Sequence, residues 1–67
     1  MNAIATYHRR VKDTEEVISV GFAASDIASI EESLTNPGEA VVWLKTGRSI
    51  SVTESYEDAL DIWRSAR

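Results

Sequence analysis

The residues of this chain best suited to chemistry are cations near its start. His8, Arg9, Arg10 and Lys12 fall within five positions. Guanidinium and ammonium groups at that density are what an anion site uses, since Arg pairs with phosphate or carboxylate through two parallel N–H donors. Tyr7 stands beside them and offers a ring on which a base would stack. Lys45 and Arg48 flank a second turn, Lys45-Thr46-Gly47-Arg48. Arg9, Arg10, Lys45, Arg48 and Tyr7 are therefore the candidate ligand-binding residues, for an anionic small molecule such as a nucleotide. The bland reading of the first cluster is a solvated strand end. Alternation along a strand also separates Arg9 from His8 and Arg10.

Other chemistries find less support. The carboxylate pairs Glu15-Glu16, Glu31-Glu32 and Glu57-Asp58 read as solvated faces, because acid/base work needs a carboxylate shifted in a cleft. His8 is the single imidazole and there is no cysteine, so neither a histidine cluster nor a thiolate can bind a metal within one chain. No Gly-x-Ser-x-Gly elbow and no glycine-rich phosphate loop is present. The expectation is a non-enzyme without cofactor or metal.

These residues need elements to hold them. Sixty-seven residues make one domain, 1–67, of a size that is marginally stable alone. Without disulfides or a metal, an efficient core or a partner subunit must supply the remainder. Seven Lys and Arg against eleven Asp and Glu give a net charge of −4, which argues against general nucleic-acid binding. No apolar run reaches the length of a membrane span, and Met1-Asn2-Ala3-Ile4 lacks a signal-peptide layout. The expectation is a soluble, cytoplasmic protein.

Residues 4–11 and 15–22 alternate with period two and predict an antiparallel hairpin across Lys12-Asp13-Thr14. Residues 23–34 carry two readings. Ile27, Ile30 and Leu34 follow helical spacing; alternatively a turn over 23–26 leads into a strand over 28–33. Residues 40–44 and 49–53 form a second hairpin. A Lys45-Thr46-Gly47 loop with Gly47 in the left-handed region sets Leu44 opposite Arg48 and Val42 opposite Ile50. Leu44, Val42, Ile50 and Val52 then share one face, and Val41 and Trp43 the other. An even-numbered loop reverses that parity. Ser55 caps a final helix, with Glu57 and Asp58 at its positive end. Tyr56, Ala59, Leu60, Trp63 and Ala66 make its apolar stripe.

The runs Asp26-Ile27-x-x-Ile30-Glu31-Glu32 and Val42-x-Leu44-x-x-Gly47-Arg48-x-Ile50-x-Val52-x-Glu54-Ser55-x-Glu57-Asp58 resemble the FlbD-like family of small flagellar proteins. The resemblance spans roughly the last two thirds of the chain. It implies a strand rather than a helix over 28–33 and a non-enzymatic role, and it carries over no catalytic residue.

The predicted fold is therefore α+β: a small antiparallel sheet of four to five strands with one C-terminal helix packed on it. In the bulged register Trp43 points away from the core beside Val41, and a face bearing both needs cover. Trp43, Val41, Phe22 and Tyr7 are the candidate interface residues of a homo-oligomer, most simply a two-fold dimer. The leading functional expectation is a small regulatory module working through protein–protein contacts. The alternative is an oligomer that captures the anionic ligand at a subunit boundary.

Overall fold

The computed structural model describes residues 3–66. Strands β1 (Ile4–Arg10) and β2 (Val17–Ala23) form an antiparallel hairpin. A 3-10 turn (Ala24–Asp26) leads into β3 (Ile27–Glu32), followed by β4 (Ala40–Leu44), β5 (Ser49–Val52) and helix α1 (Tyr56–Ala66). The α+β class is as expected. The strands, however, divide into two sheets, β1-β2 and β3-β4-β5.

The division has a local cause. The chain leaves β5 at Val52 and turns through Thr53 and Glu54 into α1. Where β1 passes this point, the Thr53 N–H donates to the His8 carbonyl. The His8 N–H is taken by the Glu54 carboxylate, 3.0 Å away, instead of a strand carbonyl. A side chain ends the ladder that would have fused the two sheets.

The first hairpin closes through polar side chains. Asp13 takes a left-handed φ of 64°, which a short polar residue tolerates better than most. Thr14 accepts from the Glu16 N–H and donates to the Val11 carbonyl. In the second hairpin Gly47 has φ 93°. Its N–H donates to the Leu44 carbonyl, while the Leu44 N–H donates to the Arg48 carbonyl. Val42 lies opposite Ile50 and Trp43 opposite Ser49, the register expected of the three-residue loop.

Residues 27–32 are a strand, and their helical spacing has an explanation. The β3–β4 register shifts between Ile27 and Ser29. The extra residue, Ala28, reverses the parity, so Ile27 and Ile30 both face inward and are buried. A bulged strand thus shows the i, i+3 pattern of a helix. Leu34, which would continue that helical face, is fully exposed in the loop before β4.

The core joins the inner faces of both sheets to α1. Ala5, Tyr7, Ala40, Val42, Val52 and Ala59 are essentially inaccessible. The alanines let the helix come close to β1, β3 and β4, which it contacts. Ser55 caps α1 by accepting from the Asp58 N–H at 3.1 Å. Ala59 and Ala66 are buried, with Tyr56, Leu60 and Trp63 partly so. The Trp63 indole N–H donates to the Ala24 carbonyl, tying the helix to the 3-10 turn. No described helix is long and apolar enough to cross a membrane.

Candidate interaction surface

The three-stranded sheet has an inner face in the core and an outer face formed by a second set of side chains. Cross-strand pairing places Ser29, Trp43 and Ser49 in one row and Glu31, Val41 and Ser51 in the next. All are exposed except the half-buried Val41. Trp43 lies on the central strand and keeps 36% of its surface exposed. Its indole N–H donates to the Glu31 carboxylate at 2.6 Å. The ring is thereby oriented on the sheet with its polar edge satisfied, leaving an apolar surface free. The outer face thus has an apolar centre, Trp43 with the half-buried Val41, bordered by serines and a carboxylate.

Two of the expected interface residues sit elsewhere. Tyr7 is in the core, with no exposed surface, and its hydroxyl donates to the Ala59 carbonyl of α1 at 3.0 Å. Burial, with the negative charge of Glu54 adding to it, pushes its pKa up to about 12. Tyr7 therefore cannot serve as a stacking surface for a base or as an interface residue; its inward parity beside Ala5 decided that. Phe22 is half-buried, packs against the core, and lies 6.3 Å from Tyr7 ring to ring. It belongs to the β1-β2 sheet, away from the Trp43 and Val41 rows.

The five expected ligand-binding residues do not form one site. Arg10 makes a two-pronged ion pair with Glu39. That guanidinium, by hydrogen bond and charge and against the opposing effect of burial, holds the Glu39 carboxyl below its ordinary range. Arg9 is half-buried on the other parity from His8 and Arg10. Glu39 immediately precedes Ala40, which pairs with Val52, so Arg10 lies at the end of the hairpin where β4 begins. Lys45 and Arg48 are exposed at the turn, the opposite end of β4. Topology thus separates the two cation groups by the length of a strand.

Two contacts were not legible from spacing. Glu54 accepts from the His8 backbone and lies 2.7 Å from His8 Nδ1. Burial raises the Glu54 pKa, but the hydrogen bonds from His8 outweigh it, and the net shift is downward. Glu31, exposed as expected of a solvated acidic pair, also accepts from the Trp43 indole N–H. The Glu31–Trp43 proximity depends on the bulge at Ala28, which no local signal announces.

A cleft of about 510 Å3 lies between the 33–39 loop and the start of α1. Glu32, Glu39 and Glu57 are on its rim, so its charge disfavours anions. Among the described residues, no group of three His, Cys, Asp or Glu is placed to hold a metal ion. The chain matches no family model, no curated protein and no solved structure.

Proposed function

We propose that this protein is a small, non-catalytic interaction module that self-associates through the outer face of its three-stranded sheet. One observation carries the reading: Trp43 stands on the central strand of the solvent-facing side of the sheet, among residues that are polar apart from Val41, with its indole N–H already satisfied by Glu31. Further burial of that ring removes apolar surface from water and breaks no hydrogen bond. Val41 extends the patch, and Ser29, Ser49 and Ser51 form its rim. A two-fold contact brings each Trp43 against the same patch of a second copy. The reading agrees with the non-enzymatic role implied by the FlbD-like resemblance. Its setting is the cytoplasm, which the absence of cysteine fits.

The anion-capture alternative keeps Lys45 and Arg48 at a common turn but loses Arg10 to Glu39, and the geometry does not favour it. Sedimentation equilibrium over micromolar to millimolar concentration tests the proposal. The wild-type chain associates, and Trp43→Ser has a lower average mass at the same concentration. Equal masses for the two proteins across the range refute the Trp43 contact.

A further inference from the structure

A second surface is encoded in the backbone of β2. The hydrogen-bond phase of the first hairpin follows from its two ends: the Ala24 N–H donates to the Ala3 carbonyl, and the Val11 N–H to the Glu16 carbonyl. Counting inward along the register, the bonded partners are Ala5 with Phe22, Tyr7 with Val20, and Arg9 with Ile18, because bonded and non-bonded pairs alternate. On β1 the intervening residues must then point their backbone groups away from β2. His8 does so, giving its N–H to Glu54 and its carbonyl to Thr53. On β2 the intervening residues are Val17, Ser19 and Gly21, with Ala23 ending the strand. Their N–H and C=O groups point to an edge on which no described strand pairs.

The edges of β1 and β5 adjoin each other, with the Thr53 N–H bonded to the His8 carbonyl, and the two outer edges, β3 and β2, differ. β3 has a bulge at Ala28 and two carboxylates, Glu31 and Glu32, devices that discourage strand addition. β2 reads Val-Ile-Ser-Val-Gly-Phe-Ala, with no charge, no proline and no bulge. Val17 and Ile18 remain 51% and 38% exposed.

We infer that the β2 edge pairs antiparallel with β2 of a second copy, about a two-fold axis at Val20. In this register Ser19 faces Gly21 and Val17 faces Ala23 of the other copy. Their outward groups form about six inter-strand hydrogen bonds. The side chains select the register. It sets Ile18 against Phe22 and Val17 against Ala23, covering both exposed apolar residues, and sets Val20 against its equivalent. Centring on Ser19 instead would leave Phe22 opposite Glu16. The two-stranded sheet, marginal by itself, becomes four-stranded across the axis. A second copy suits the edge because an uncharged strand meets no like-charge repulsion from itself, and antiparallel self-pairing is self-complementary. The contact is about 23 Å long and belongs near the ~1,000 Å2 lower limit of specific interfaces.

This contact is separate from the Trp43 face, and two two-fold contacts on one chain build assemblies larger than a dimer. Sedimentation of three proteins distinguishes them. Trp43→Ser stops at a dimer held by β2. Ser19→Pro removes an outward N–H without touching the β1 bonds and stops at a dimer held by Trp43. The double variant is a monomer. Ser19→Lys, which sets like charges across the axis, weakens the β2 dimer at least tenfold and serves if the proline variant does not fold. Amide exchange of Trp43→Ser gives a parity readout: Val17, Ser19 and Gly21 become protected as concentration rises, while Ile18, Val20 and Phe22 are protected throughout. A Trp43→Ser protein that is monomeric at millimolar concentration, with its odd-numbered β2 amides exchanging freely, overturns the β2 pairing. A Ser19→Pro protein that folds but is monomeric overturns the Trp43 contact instead.

Discussion

Replacing Tyr7 by Phe separates a core residue from a surface platform, and the effect reverses sign with pH. At neutral pH the variant loses the hydroxyl's hydrogen bond to the Ala59 carbonyl, worth about 1 kcal/mol. The whole domain is stable by roughly 3–10 kcal/mol on the usual per-residue scale, so the loss is measurable. Alkali acts oppositely. Tyr7 has an ordinary pKa of 10.0, raised in the fold to about 12. Below pH 10 both folded and unfolded chains are protonated, and the contribution of the neutral phenol is fully present. As pH rises from 10 towards 12 the unfolded chain releases its proton first, and the wild type loses up to about 2.7 kcal/mol. This upper figure applies because Tyr7 has no exposed surface. Phe has no proton to lose. The two stability curves therefore cross between the ordinary and the raised pKa of Tyr7, with Tyr7→Phe the more stable protein above the crossing. Urea denaturation followed by circular dichroism from pH 8 to 12 measures both curves. Tyr56 and both lysines are common to the two proteins and cancel in the difference. A stability difference that stays constant across this range refutes the burial of Tyr7.

Gly47→Ala loses about 1–2 kcal/mol, the backbone cost of φ 93° for an L-residue. A Cβ there meets no atom within 4 Å, so steric crowding adds nothing. Thermal unfolding of Gly47→Asn should show a milder loss, and an Ala variant as stable as wild type would contradict the turn geometry. Glu54→Gln destabilises at neutral pH, where the carboxylate accepts from the His8 ring and backbone. Because the folded pKa of Glu54 lies below its ordinary 4.5, its contribution is present above that value and is lost as pH falls through the folded pKa. The gap in melting temperature between wild type and Glu54→Gln should narrow from pH 7 to pH 3; a gap that widens would count against the pairing.

Elements governed by neighbours in sequence were legible before the fold was known. Gly47 supplies the only unstrained left-handed conformation in its turn, so the loop length and the opposite directions of Val42 and Trp43 follow from local geometry. Ser55 and Asp58 lie three residues apart and meet as a helix cap. Alternation in 4–11 and 15–22 predicts the first hairpin, since register on a half-buried sheet is set by which parity is apolar.

Tertiary structure decided the matters that depend on residues far apart in the chain. Composition alone admits Tyr7 as an aromatic platform; only the approach of α1, with the Ala59 carbonyl fifty-two residues away, makes it a core residue. Arg9, Arg10, Lys45 and Arg48 resemble one cationic set as a list. The direction of β4 separates them, and Glu39 neutralises Arg10 across the fold. Ile27 and Ile30 carry a helical spacing that a bulge reproduces, and the bulge is specified by pairing with β4. The division is physical: turns and caps are set by torsions and hydrogen bonds over a few residues, whereas burial, ion pairing and the identity of a free edge exist only once distant segments pack together.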